Sequence, residues 1–241
     1  MVSKPFTVDL SKTVVFQVGH LGEAYEKWVN QPIVSKDGPR FFANDFCEVL
    51  ILAFPFKRFT NTECPMTSFI IFLPFLTRTA LDTYEMVGDP TSLATSSMLA
   101  CLCLHPKRSH SYGGSFGSDW GNTLNYLLHG CHHKHPLDRL RLVFPPAATA
   151  ILCVPVWTVF RLLSTHSTAP ALFGGGLLGY VIYDCTHYYL HHGKPSKGYG
   201  HILKRYHLNH HFKAQNKGFG ITSSIWDHVF GTFPASKVGE T

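Results

Sequence analysis

The stretch His129-Gly-Cys-His132-His133 recurs, with the same histidine spacing, as His207-Leu-Asn-His210-His211. A third cluster, His187-Tyr-Tyr-Leu-His191-His192, lies between them. On a helix, residues three and four apart share a face, so His129 can converge on one metal ion with either His132 or His133. The adjacent histidine of each pair points about a third of a turn away, which suits a second ion. The alternative is a surface or pH-sensitive patch, but three clusters at ligand spacing favour a pair of metals.

Two apolar stretches separate the first and last clusters. Val143 to Leu163 carries a single charge, and Ala169 to Leu190 is apolar until Asp184. Each reaches the roughly 20 residues that cross a hydrocarbon core, and only residues 164–168 join them. The alternative is a buried helical hairpin in a soluble protein. We predict an all-α integral membrane protein, with a transmembrane hairpin over about residues 143–190 and a histidine-rich di-metal cap.

The distribution of positive charge predicts which side of the membrane the cap faces. Lys134, Arg139 and Arg141 precede the hairpin, and six further Lys and Arg residues follow it between 194 and 217. The turn at 164–168 has none. The positive-inside rule then places all three histidine clusters in the cytosol. Asp138 is predicted to be an exposed charge at the surface or the headgroup region.

Composition fits a membrane setting. The chain of 241 residues is 45% hydrophobic and 15% charged, below the roughly 25% charge of soluble domains. Its net charge of +6 comes without long basic runs, which argues against nucleic acid as a partner. Seven cysteines with no Cys-x-x-Cys pair indicate reduced, mostly buried thiols.

The ligand type limits the chemistry. An all-imidazole site suits iron, copper, nickel or zinc better than calcium or magnesium. The sequence has no His-Glu-x-x-His motif, phosphate-binding loop or nucleophile elbow. A site at the lipid boundary favours a lipid substrate, and unreactive alkyl chains require oxygen chemistry at a redox metal. Asp184 lies three residues before His187 and either orients that imidazole or is a helix-end charge.

Several stretches together resemble the plant fatty acid 2-hydroxylases, within the fatty acid hydroxylase and sterol desaturase superfamily. The strongest are Leu128-His-Gly-Cys-His-His-Lys-His-Pro136, Arg141-Leu-Val-Phe-Pro-Pro146 and Tyr183-Asp-Cys-Thr-His-Tyr-Tyr-Leu-His-His192. Residues 206–212 and Gly218-Phe-Gly-Ile-Thr-Ser-Ser-Ile-Trp-Asp227 are similar too, as are short N-terminal matches between residues 6 and 22. The resemblance covers residues 1–50 and 120–234.

The resemblance implies an enzyme of the endoplasmic reticulum membrane with a cytosolic di-metal site, holding two zinc or iron ions. Such enzymes hydroxylate carbon 2 of the fatty acyl chain of sphingolipids, using O2 and electrons from cytochrome b5. This chain has no His-Pro-Gly-Gly haem motif, so cytochrome b5 is expected as a separate partner. The residues carried over as metal ligands are His129, His132, His133, His187, His191, His207, His210 and His211. His192 matches the motif and is expected to support the ligands.

Residues 51–119 depart from the family, which carries a further His-Arg-Phe-x-Phe-His segment there. His105 and His110 keep that spacing, but Pro106 interrupts any helix through them; they remain candidate ligands. We predict four regions: a cytosolic segment 1–50, an atypical segment 51–119 altered by splicing or frame, a metal core 120–234 and a tail 235–241. The alternatives to the acyl 2-hydroxylase are a catalytically defective metal-binding relative and another lipid oxidase, such as a sterol C4-methyl oxidase.

Overall fold

The computed structural model describes residues 6–36, 38–45, 47, 118–142, 146–166 and 168–234. Helices account for its regular structure, and no strand occurs within these ranges, which confirms the prediction of a mostly helical chain. The chain divides into two units, residues 1–52, 107–143 and 188–241, and residues 53–106 and 144–187. The helices are α1 Val15–Gly19, α2 Ala24–Val29, α3 Asp119–Asn125, α4 Cys131–Lys134, α5 Pro146–Leu163, α6 Thr168–His192, α7 Gly198–Phe212 and α8 Ile225–Val229, with a π-helical turn Tyr126–Gly130 joining α3 to α4.

In the first unit, the N-terminal helices pack against the helical stretch that carries the first histidine cluster. Gly19 of α1 lies so close to α3 that an added Cβ would be 2.8 Å from the carbonyl oxygen of Asp119. The Asn122 side chain donates to the carbonyl of Gly22 at 3.0 Å. Tyr126 is fully buried and its ring lies 5.6 Å from that of Phe41. The N-terminal segment therefore forms one wall of the core behind the first histidine cluster.

The π-helical turn sits where the first cluster begins. The backbone N–H of Cys131 donates to the carbonyl of Tyr126, five residues earlier, instead of four as in an α-helix. Single π turns inside α-helices are rare and are frequent at functional sites. This one contains His129, whereas His132 and His133 lie in the α-helical turn that follows.

Two charges that flank the predicted hairpin, Asp138 and Arg141, are buried and paired with each other. Asp138 is 4% exposed and its carboxylate lies 2.7 Å from Arg141 Nε, so its prediction as a surface charge is wrong. Arg141 also donates to the carbonyl of Pro39, and Gly38 N–H donates to Asp138 at 2.8 Å. These contacts give each buried charge an opposite charge and a further hydrogen bond to the N-terminal segment. Counting charges along the chain could not reveal this arrangement, because two of the partners lie about a hundred residues away.

In the second unit, α5 and the part of α6 up to His187 form the predicted hairpin. Helix α5 begins at Pro146, where the missing proline N–H costs nothing, and α6 extends two residues beyond the predicted end to include His191 and His192. Phe173, Leu177 and Val181 of α6 are buried against aromatic and sulfur side chains of α5. The Trp157 and Phe173 rings, for example, lie 5.3 Å apart. Within the part of the chain that the structure describes, no helix combines the length and apolar character needed to cross a membrane, so the two predicted spans are not confirmed.

Candidate metal centre

Four buried imidazoles from three helical segments of the first unit converge on one point. The facing Nε2 atoms of His132 and His211 are 3.0 Å apart, and those of His191 and His207 are 2.8 Å apart. His207 and His211, one turn apart on α7, face each other at 3.1 Å. The potential ligand nitrogens of these four side chains all lie within 4.8 Å of one another.

The remaining histidines of the two repeated motifs form a second group. His129 and His133 face each other through Nε2 atoms 2.9 Å apart. The ring of His210 lies 5.0 Å from that of His133. Each triplet is therefore divided between the two groups. From the first motif, His132 belongs to the first group, and His129 and His133 belong to the second. From the other motif, His207 and His211 belong to the first group, and His210 belongs to the second. Sequence spacing left open which neighbour His129 would join, and the structure places it with His133.

The other predicted site residues lie along α6 or outside the described ranges. His187 precedes His191 by one turn of the same helix, so the two share a helix face. Asp184 is buried, and its Oδ2 atom has no hydrogen-bond partner among the described residues. The ring of His192 lies 4.7 Å from that of Tyr188. His105 and His110 lie outside the residues that the structure describes.

Burial favours the neutral form of two imidazoles of the first group, His191 and His211. Desolvation lowers the pKa of His191 to about 3, and the neighbouring histidines add to the effect. Burial likewise lowers the pKa of His211 well below its usual value. Neutral imidazole is the form that binds metal, because one ring nitrogen keeps its lone pair. The buried Cys131 thiol has its pKa raised to about 12 by the same desolvation, so it stays protonated and is a packing residue.

The spacing of the first group fits a transition metal. Two ligands about 2.1 Å from one ion lie roughly 3.0–3.4 Å apart for angles of about 90–109°. The observed separations of 2.8–3.1 Å fall at or slightly below this range, so an expansion of a few tenths of an ångström accommodates an ion. The nitrogen-only donor set suits zinc or iron. The second group offers fewer nitrogens among the described residues.

Lys204 holds the end of the helix that carries His191. The Lys204 ammonium donates to the carbonyls of Leu190, His191 and Gly193 at 2.7, 3.0 and 3.1 Å. A cation at these last carbonyls satisfies groups that have no partner inside the helix, and complements the helix dipole. The end of α6 is thereby fixed to α7, which keeps His191 opposite His207.

Lys134 binds carbonyl groups at the end of α2 in a similar way. Its ammonium donates to the carbonyls of Trp28 and Gln31 at 2.7 and 2.8 Å and lies 4.3 Å from the centre of the Trp28 ring. Burial lowers the pKa of Lys134 to about 8. In the sequence Lys134 is one of the positive charges that precede the predicted hairpin, and in the structure it binds the N-terminal segment to the turn that carries His132 and His133.

Gly130, inside the first motif, allows α2 to approach the histidine helix. An added Cβ there would overlap the Tyr25 hydroxyl and lie 3.0 Å from Val29 Cγ2. The Tyr25 hydroxyl itself donates to Asn125 at 2.7 Å. The glycine has an ordinary helical conformation, with φ at −60°, so close packing rather than backbone strain requires it.

Sequence reasoning missed two features beside the site. His135 is 1% exposed, and neither of its ring nitrogens has a hydrogen-bond partner among the described residues. Its position in the run that follows the first triplet was the available signal. A cavity of about 350 Å³ also opens beside His191 and His192, and its lining includes Lys194, Lys204 and Arg205. No regular spacing in the sequence marks this cavity, because its walls come from a helix end, a loop and the next helix.

Comparison with known proteins gives matches over nearly the whole chain. Residues 96–232 match the family model described as fatty acid hydroxylase, a match that begins inside the segment predicted to be atypical. Two dihydroceramide fatty acyl 2-hydroxylases of Arabidopsis thaliana, FAH1 and FAH2, are 52% and 50% identical to the chain, each over 98% of both proteins. A solved structure described as full-length scs7p, with only the hydroxylase domain visible, superposes with a TM-score of 0.79 at 30% identity, covering 95% of this chain and 86% of that one.

Proposed function

The chain belongs to the fatty acid hydroxylase family, and we propose that it hydroxylates carbon 2 of the fatty acyl chain of a sphingolipid, ceramide or dihydroceramide. The relatives that match over 98% of their length carry the name dihydroceramide fatty acyl 2-hydroxylase. The observation that carries the proposal is the convergence of His132, His191, His207 and His211 on one point. Those relatives are named as enzymes that act on the same class of lipid.

Bound metal ions would supply the activation of O2 that an unreactive C–H bond requires. Hydroxylation places one oxygen atom of O2 in the C–H bond and releases the other as water, which consumes two electrons and two protons. Iron suits this redox role, since zinc has no redox chemistry. Cytochrome b5, as a separate protein, is the proposed electron donor.

The chain's own residues would present neutral ligand nitrogens and exclude water. His191, His207 and His211 are each no more than 5% exposed, so the reacting atoms would be shielded from solvent. Lys204 would hold the end of α6 against α7 through its three carbonyl contacts. We propose His129, His133 and His210 as ligands of a second ion, and His187 is a further proposed metal ligand.

The proposed location is the endoplasmic reticulum membrane, with the histidines facing the cytosol. Support comes from the apolar surface of α5, where Ile151, Val154 and Leu162 are 64–78% exposed. Isolated exposed apolar residues are common, but a run of them on one helix marks a surface that another apolar medium covers. The turn at 164–168, which lacks Lys and Arg, also fits the side away from the cytosol. Resistance of the chain to alkaline extraction from microsomes would support this location, and release into the soluble fraction would contradict it.

Sphingolipid mass spectrometry tests the activity. Cells that lack an acyl 2-hydroxylase would express the chain together with a cytochrome b5. We expect new ceramides with a 2-hydroxyacyl chain, and none from a His207→Ala variant present at the same level. His201→Ala is the matched control, because its ring hydrogen-bonds to the carbonyl of Pro195 and lies outside both histidine groups.

Other outcomes would select one of the alternatives. No new hydroxyceramide, with the chain present and metal bound, would identify a catalytically defective metal-binding relative. Oxidised sterols in the same extracts would instead identify a sterol oxidase. Bound metal, measured by elemental analysis, separates loss of the site from loss of the reaction.

A further inference from the structure

Asp227 is a completely buried carboxylate close to the second His-x-x-His-His motif, His207–His211. Its Oδ2 atom accepts hydrogen bonds from the Tyr206 hydroxyl and the Gly220 N–H, both at 2.7 Å. Its Oδ1 atom accepts from the Phe219 N–H at 3.1 Å and the Thr232 hydroxyl at 2.5 Å. An ionised carboxylate has acceptor sites for about four such bonds. Asp227 therefore links three parts of the chain: α7, the loop that follows α7, and the residues after α8, which include Thr232.

That loop determines the state of one histidine. His210 Nδ1 lies 2.8 Å from the carbonyl oxygen of Lys217. A carbonyl oxygen only accepts, so Nδ1 carries the proton and Nε2 keeps the lone pair. The Phe219 ring packs against the His210 ring with centroids 5.1 Å apart. Phe219 thus contacts His210 through its ring and carries one of the two amides held by Asp227, and Lys217 lies two residues before it.

We propose that Asp227 is a positioning residue of the metal centre. By fixing residues 217–220, it holds the Lys217 carbonyl where it selects the Nδ1–H tautomer of His210. The imidazole then keeps its Nε2 lone pair for metal while its ring lies against His133. Hydrogen-bond partners that fix a ligand's tautomer and ring orientation affect metal affinity nearly as strongly as ligands do. This role rests on the proposed metal site and deepens it.

Asparagine at position 227 perturbs this arrangement with little change in shape. Its side chain has one acceptor oxygen and one NH2 group, whereas the two backbone amides of Phe219 and Gly220 donate to opposite carboxylate oxygens. In either orientation of the new side chain, one backbone N–H faces an NH2 donor and loses its bond. Tyr206→Phe is the milder comparison, because it removes one donor and leaves both amides held.

The test measures zinc affinity in a double-mutant cycle on the purified full-length chain. Metal-free protein is titrated with Zn²⁺ against a chelator of known affinity, and circular dichroism reports helix content. We expect Asp227→Asn to weaken zinc binding about 10–100-fold. In a His210→Ala background the same change should weaken it less than about 3-fold, because the loop no longer has a ligand to position. Asp119→Asn, an exposed carboxylate of the same unit, is the control and should stay within about 2-fold of the unmodified chain.

An equal loss of affinity in both backgrounds would show a general structural effect and overturn the proposal. Unchanged affinity in Asp227→Asn, or a loss as large in Asp119→Asn, would overturn it as well. Absence of zinc binding in the unmodified chain would overturn the proposed metal centre, and this role with it. If Asp227→Asn does not fold, ¹⁵N NMR of the unmodified, metal-free chain decides: the Nδ1–H tautomer of His210 supports the proposal, and the Nε2–H tautomer refutes it.

Discussion

Replacing Gly130 with alanine should destabilise the first unit through one defined overlap. The new Cβ would meet the Tyr25 hydroxyl and lie 3.0 Å from Val29 and 3.1 Å from the Asn125 side chain. Overpacking of this kind costs about 1–3 kcal/mol. Displacing the Tyr25 hydroxyl from Asn125 costs about 1 kcal/mol more, and the higher helix propensity of alanine offsets about 1 kcal/mol. We therefore expect the free energy of unfolding to fall by a net amount of about 1–3 kcal/mol.

The assay is denaturant unfolding of four proteins: unmodified, Gly130→Ala, Tyr25→Phe and the double variant. Removing the hydroxyl removes the atom that an alanine at position 130 would strike, so the alanine should cost at least about 1 kcal/mol less in the Tyr25→Phe background. Gly176→Ala is the matched control. An added Cβ there meets nothing within 4 Å, so this variant should gain up to about 1 kcal/mol. Additive costs within about 0.5 kcal/mol in the cycle would refute the overlap.

Further expectations follow from the buried charges and the histidine groups. Arg141→Leu should lower the free energy of unfolding by about 3–5 kcal/mol, because Asp138 would remain buried without its cation. A decrease below about 1 kcal/mol in denaturant unfolding would contradict this. Lys204→Met should cost about 1–3 kcal/mol through lost bonds to the end of α6, and an unchanged melting curve would show that water replaces them. His129→Ala should reduce the metal bound per chain in elemental analysis, whereas His201→Ala should not, and equal reductions would argue against the histidine groups. Removing metal with a chelator should lower the midpoint of thermal unfolding, because an ion that binds only the folded chain stabilises that chain. An unchanged midpoint would show that no bound ion stabilises the fold.

The sequence predicted those parts of the fold that depend on local spacing. The apolar stretches gave both helices of the hairpin, and the repeated triplets gave the histidines that meet in the structure. Spacing could not decide between His132 and His133 as the companion of His129, because positions three and four residues on share a helix face. The π turn that contains His129 has no clear sequence signature.

Long-range contacts account for what the sequence analysis missed. Lys134, Asp138 and Arg141 looked like flanking charges, but their partners lie about a hundred residues earlier in the N-terminal segment. Asp227 was visible only as part of a resembling stretch. Its partners, from Tyr206 to Thr232, come together only when α7 and the return after α8 have folded. A single sequence gives the order of residue types, whereas these roles depend on which distant segments pack together.

The π turn Tyr126–Gly130 makes the chain tolerant of a length change at one place. A π turn contains one residue more than the α turn it would otherwise be, so deleting the exposed Leu128 would return it to an α turn with both flanking helices still in register. A deletion within Cys131–Lys134 would instead rotate the residues beyond it by about 100° and turn the following contacts away from α2. The first histidine cluster thus begins within a stretch whose length can vary by one residue while the side of the helix that carries His132 and His133 keeps its direction.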